Sequence, residues 1–250
     1  MIKNNLVIML DFDGVLFDWA HFVRDMEDIF AEFGVSREMF WRAFNIKNVR
    51  KQYTLKKHIH AINVLCPKLG LENNSFKKKQ LVLKFRDSLL HKSSNYLLDG
   101  SIELLEWLGE HGWHRILLSH GWGFQTAKIH WSGIHYRTKQ FLCFGKTVRE
   151  DIFYDLFEKR IITPDKTKIS AAKMIKDSHR RDGYKNIFVL VDDRASIIDG
   201  ISQSISDIIS IQLMFSHVPG RSPDLAKKSH GLIYNFEELK EYLLIIEKTV

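Results

Sequence analysis

Leu6 to Leu10 is an unbroken apolar run that ends in Asp11-Phe12-Asp13-Gly14, the pattern of a buried parallel strand running into a glycine turn. Three more runs have this character: Arg115 to Leu118 ahead of Ser119, Asn186 to Val191 ahead of Asp192, and Ile208 to Met214. Between them the period becomes helical, with Ile102, Leu105 and Leu108 ahead of Gly109, and Ile169, Ala172 and Ile175 further on. Strands alternating with helices predict an α/β fold built on a doubly wound parallel sheet. Two weaker strands, Gln140 to Phe144 and Gly231 to Tyr234, and a last helix near Glu237 to Ile246 complete it. Three of these strands end in Asp, Ser or Asp-Asp. Ligands of open α/β sheets bind just beyond the carboxyl ends of the strands, so these polar residues converge on one crevice.

About eighty residues separate the first strand from the helix near Ser101, and their periodicity is helical throughout. Trp19, Phe22, Val23, Met26, Ile29, Phe30 and Phe33 form one apolar stripe that stops at Gly34. Leu55, Ile59, Ile62 and Leu65 form a second, stopped by Pro67, and Phe76, Leu83 and Leu90 repeat at seven in a third. The pattern predicts a core of residues 1–17 and 96–250 interrupted by an all-helical insertion over 18–95. No internal repeat or long linker divides the chain further.

Composition narrows the class. With 45% hydrophobic and 27% charged residues, the 250-residue chain is neither disordered nor a disulfide framework. No apolar run approaches the roughly 20 residues of a membrane-spanning helix, and the run before Asp11 is too short for a secretory signal. Only Cys66 and Cys143 are present, which suits a reducing, cytoplasmic setting. The net charge of +7 is localised: Lys47 to Lys92 holds twelve Lys/Arg against Glu72 and Asp87, while the rest has 25 basic and 28 acidic residues. An anionic partner is expected of such a segment, a small phosphorylated substrate ahead of nucleic acid, because no recognised nucleic-acid module accompanies it. Oligomeric state leaves no mark on the sequence.

Side chains at i and i+2 of an extended segment point the same way, so Asp11 and Asp13 face the crevice together. Clustered carboxylates repel unless a cation joins them, which points to a hard divalent metal, most simply Mg2+. One carboxylate of such a pair can attack phosphorus to give an aspartyl-phosphate, while the other protonates the leaving oxygen and later activates water. The same two residues also suit the plain task of capping the turn that follows. Val191-Asp192-Asp193 brings a second acidic pair to a strand end, either as metal ligands or as an N-cap for a helix beginning near Ala195. Ser119 is a turn residue whose hydroxyl can also donate a hydrogen bond to a phosphoryl oxygen.

Together these residues resemble the haloacid dehalogenase (HAD) superfamily of hydrolases, and the likeness covers most of the chain. Asp11-Phe12-Asp13-Gly14-Val15-Leu16 is similar to its first motif, Leu117-Leu118-Ser119 to its second and Val189-Leu190-Val191-Asp192-Asp193 to its fourth, in the same order and spacing. The resemblance implies Asp11 as nucleophile, Asp13 as general acid/base, Ser119 as phosphate ligand, and Asp11, Asp192 and Asp193 as metal ligands with the backbone carbonyl of Asp13. His120 and Gly121, next to Ser119, are expected beside the substrate.

The third motif of that superfamily is a lysine that neutralises the phosphoryl group, and three lysines compete for it. Lys168 precedes Ala172 and Ile175 as a lysine at the start of an amphipathic helix should, and is preferred. Lys166 in the same frame would put Ser170 and Lys173 on the buried face, and Lys146 in Gly145-Lys146-Thr147 lacks the glycine a P-loop needs at position 140. Asp13 argues against the dehalogenase branch, since dehalogenation delivers no proton to a leaving alkoxide. The insertion resembles the helical cap of one large branch. The expected activity is a Mg2+-dependent phosphomonoester phosphatase; a phosphomutase is the alternative, with a nucleic-acid-binding protein or end phosphatase behind it.

Overall fold

The computed structural model describes residues 5–47, 49, 53–120, 123–134, 140–144, 168–179, 186–214 and 224–249. Its strands are β1 (Asn5–Leu10), β2 (His114–His120), β3 (Gln140–Phe144), β4 (Asn186–Asp192), β5 (Ile208–Leu213) and β6 (Gly231–Ile233). They form one sheet in the order β3-β2-β1-β4-β5-β6, and every neighbouring pair is parallel. The chain moves outward from β1 to β3, then returns to β4 on the other side of β1. The switch in direction therefore falls between β1 and β4.

Leu6 to Leu10 have no exposed surface, as a strand covered on both faces requires. Val7 and Met9 face one side, in a cluster with Ile116, Leu118, Phe188 and Leu190, under Ala172 and Ile175 of helix α7 (Lys168–His179) and Ile198 and Ile201 of helix α8 (Ala195–Ser204). Strand alternation turns Leu6, Ile8 and Leu10 to the opposite face. Helix α5 (Ser101–Glu110) lies against β2, and helix α9 (Phe236–Thr249) against α5. Two strands run past their expected ends. β2 continues through Ser119 and His120, which pair with Cys143 and Phe144, and β4 continues through Asp192, opposite Gln212.

The chain divides into two compact units, one of 1–18, 97–120 and 133–250 that holds the sheet, and one of 19–96 with 121–132. The latter contains α1 (Trp19–Ala31), α2 (Arg37–Phe44), α3 (Leu55–Leu65), α4 (Ser75–Ser88) and α6 (Gly123–Ser132). Ser36, Thr54 and Asn74 start α2, α3 and α4, each side chain accepting the N–H of the residue three positions on. Residues 121–132 fall within the expected core of 96–250, while α6 packs through its aromatic content on the helices of 19–96: the Phe124 ring lies 4.7 Å from that of Tyr53 and 5.9 Å from those of Phe22 and Phe85. Lys128, without exposed surface, holds its ammonium 4.3 Å from the centre of the Trp19 ring.

The heptad stripe expected in α4 is not its buried side. Phe76 is 68% exposed, whereas Leu81, Phe85 and Leu89 are buried at four-residue steps. Leu90 lies in the tighter helical turn that follows, Leu90–Tyr96. His58 is a core residue, its Nε2 3.0 Å from the Phe40 carbonyl, and burial lowers its pKa to about 4. Among the described residues, no helix is long and apolar enough to cross a membrane.

Candidate active site

β1 delivers Asp11 to the centre of the sheet edge. Its N–H continues the ladder to the Val191 carbonyl at 3.0 Å, and its Oδ1 accepts the Phe12 N–H at 2.7 Å. The chain then closes a tight loop in which Leu16 and Phe17 donate to the Phe12 carbonyl and Gly14 donates to that of Phe17. Gly14 has φ +83°, and a Cβ there would sit 2.6 Å from the Asp193 Cγ. Only glycine allows both that backbone and so close an approach of the two acidic segments.

The end of β4 completes the cluster. Asp11, Asp192 and Asp193 each present a carboxylate oxygen, all within 4.8 Å of one another. Lys168, the first residue of α7, is buried between two of them, with Nζ 2.5 Å from Asp11 Oδ2 and 2.6 Å from Asp192 Oδ2. Arg194 approaches from the turn after β4: its N–H donates to Asp192 Oδ1 at 2.9 Å, its Nε stands 3.4 Å from the same oxygen, and a terminal nitrogen lies 3.7 Å from Asp11 Oδ2. Asp192 therefore orients the residue two positions on by an Asx-type bond, while the N-cap of α8 is Arg194 itself, without a side-chain cap.

Electrostatics separate the three carboxylates. Burial would raise Asp192, but the charges of Lys168 and Arg194 outweigh it and hold its pKa below the ordinary value. Burial, opposed by Lys168 and reinforced by Asp192, lifts Asp11 to about 6. Burial and the charges of Asp11 and Asp192 push Asp193 up to about 8. Among the described residues Asp193 Oδ1 is buried with no hydrogen-bond partner, an expensive state for a polar oxygen. Two cations among three carboxylates leave a negative excess, and hard oxygen donors with one oxygen unused fit a divalent cation held by Asp11, Asp192 and Asp193. The structure includes no ion.

Of the residues singled out by sequence, Asp11, Lys168, Asp192 and Asp193 lie in one cluster. Ser119 is buried near the carboxyl end of β2, on the strand beside β1. The side chain of Asp13 stands in the turn, half-buried and outside the three-carboxylate group. His120 is in β2 by its backbone, while its side chain, Gly121, Trp122, Lys146 and Lys166 lie outside the described residues. Two members went unread in the sequence. Arg194, directly after Asp-Asp, passes for a solvated arginine. Gln212 is a polar residue in an apolar strand, a legible anomaly; it is fully buried, donating to the carbonyls of Asp193 (3.0 Å) and Asp224 (2.7 Å) and accepting from the Ala226 N–H (2.8 Å).

No protein-family profile and no curated protein sequence matches the chain. Solved structures do. A haloacid dehalogenase-like hydrolase from Burkholderia xenovorans LB400 superposes with a TM-score of 0.59 at 18% identity, over 96% of either chain. An L-2-haloacid dehalogenase gives 0.58 at 14%, over 97% of this chain and 100% of its own. A protein assigned as a β-phosphoglucomutase of Thermotoga maritima gives 0.57 at 14%, with both chains covered completely. The chain thus has the fold of the haloacid dehalogenase-like hydrolases, an α/β sheet of the Rossmann kind.

Proposed function

We propose that the chain is a phosphohydrolase, dependent on a divalent cation and most simply Mg2+, that cleaves phosphomonoesters through an aspartyl-phosphate on Asp11. The observation that carries this reading is the pairing of Asp11 with Lys168 at 2.5 Å beside an Asp193 oxygen that has no partner among the described residues. It joins a nucleophile, a phosphate-neutralising ammonium and a place for a cation at the end of the central strand. Asp11, Asp192, Asp193 and the Asp13 carbonyl would hold the cation, which would neutralise the phosphoryl oxygens.

In the first step an Asp11 oxygen attacks phosphorus and the bond to the leaving oxygen breaks. That oxygen keeps the electron pair and takes a proton from Asp13. Lys168 and the Ser119 hydroxyl hold the phosphoryl oxygens. Water then attacks the same phosphorus and gives its proton to Asp13, and the Asp11–phosphorus bond breaks to restore the carboxylate. A proton carrier at Asp13 has no task in dehalogenation, which favours phosphoryl transfer over that chemistry.

A panel of phosphorylated metabolites with Mg2+ and a phosphate-release readout tests the reading. Release on at least one member, abolished by a chelator and restored by Mg2+, is expected; full turnover in chelator contradicts it. Transfer of labelled phosphoryl to a sugar hydroxyl instead of water would make the chain a phosphomutase.

A further inference from the structure

We propose that Arg194 is a further catalytic residue of this site, a second cation that binds the transferred phosphoryl group alongside Lys168. The proposal rests on the phosphohydrolase reading above and adds a residue to it.

The geometry begins at Asp192, which has no exposed surface and is gripped from both sides: Lys168 takes Oδ2 at 2.6 Å, and the backbone N–H of Arg194 takes Oδ1 at 2.9 Å. That second bond folds the chain so that the Arg194 side chain returns over its own turn, toward the end of β1. Its terminal nitrogen reaches 3.7 Å from Asp11 Oδ2, the oxygen that Lys168 already holds. One atom of the reacting carboxylate is therefore bracketed by two cations from two different elements. A phosphoryl group on Asp11 would place its oxygens within reach of both.

The two cations differ in what they have left to offer. The Lys168 side chain is 1% exposed and two of its three donors go to Asp11 and Asp192. The Arg194 side chain is 45% exposed, so part of its planar fork of five N–H donors is open to an incoming anion. A guanidinium also keeps its charge at any working pH and matches a phosphoryl group through two parallel hydrogen bonds. Lys168 and a divalent cation would only balance the three carboxylates, so Arg194 supplies the net positive charge that attracts a phosphoryl dianion. The plainer role, a counterion for Asp192, explains the 3.4 Å contact of Nε but not the approach of the terminal nitrogen to Asp11.

Wild type, Arg194→Gln and Arg194→Lys, each with saturating Mg2+, are compared by calorimetric binding of inorganic phosphate and by kcat/KM on the best substrate of the panel. Arg194→Gln is expected to weaken phosphate binding about tenfold and to lower kcat/KM about 10²-fold, the scale of one lost transition-state donor. Arg194→Lys keeps the charge but loses the fork, and should recover only part of either loss. Phosphate affinity and kcat/KM within about twofold of wild type in Arg194→Gln, with only a lower melting temperature, would make Arg194 a counterion and overturn the proposal. If Arg194→Gln does not fold, unchanged phosphate affinity in Arg194→Lys overturns it equally. A wild type that binds phosphate in an Arg194-dependent way yet hydrolyses no ester would sink the phosphohydrolase reading while leaving the anion role of Arg194 intact.

Discussion

Asp193 is the residue on which the charge balance of the site turns. Its carboxyl is held at about 8 in the fold against an ordinary value of 3.8, so across that interval the native state keeps a proton that the unfolded chain releases. The sign follows: without a cation, stability falls as pH rises through the interval, with Asp11, raised to about 6, adding to the fall over its lower part. Asp192, held below its ordinary value, loses its contribution only in acid. His58, lowered from 6.5 to about 4, has the opposite slope between those values, so the clean window lies above it. In chelator the melting temperature should drop between roughly pH 6.5 and 8.5, and Mg2+ should remove the drop by taking the place of the proton. A flat profile in chelator would mean that Asp193 is not buried among like charges. Asp11 and the pair Asp192 and Asp193 were legible because each follows an apolar run, and Lys168 because it opens an amphipathic helix. Arg194 was not, since what distinguishes it is a backbone turn imposed by Asp192.

At the scale of elements, helical period alone misread α4. Its heptad spacing suggested Phe76, Leu83 and Leu90, but a straight helix follows 3.6 residues per turn, and the buried line runs through Leu81, Phe85 and Leu89. Leu81→Ala should therefore destabilise by about 2–5 kcal/mol in denaturant unfolding, while Phe76→Ser, at an exposed position, should change stability by less than about 0.5 kcal/mol. Equal losses would restore the heptad face. On β5, Gln212 ties the Asp193 carbonyl to the segment at Asp224 and Ala226. Gln212→Leu leaves three backbone groups without their partner and should cost about 1–3 kcal/mol per group left buried and unsatisfied. It should also weaken Mg2+ activation by about 10–100-fold, in the manner of lost outer-shell support, with kcat recovering at high Mg2+. Unaltered Mg2+ dependence in a folded variant would make the glutamine structural only.

For the molecule as a whole, the parallel α/β class of the sheet was legible in the sequence, and its order was not. The most continuous apolar runs, Leu6 to Leu10 and Ile187 to Val191, are the two adjacent central strands, because only strands covered on both faces can be apolar throughout. The placement of 121–132 with the helical unit was not legible: a helix following a strand reads as part of the sheet, and only its contacts through Phe124 and Lys128 say otherwise. The basic excess of the helical unit is partly met inside it, by Lys84 with Glu32 and Arg86 with Asp87. Phosphoryl transfer to Asp11 is tested most directly by rapid acid quench of wild type turning over its best phosphomonoester with Mg2+, followed by mass spectrometry of the intact chain and its peptides. The prediction is a single phosphoryl group on the peptide containing Asp11, absent from Asp11→Asn, which should also lose at least ~10³-fold in turnover. Steady hydrolysis by a folded Asp11→Asn, or a quenched wild type carrying its phosphoryl group on another residue, would contradict the account.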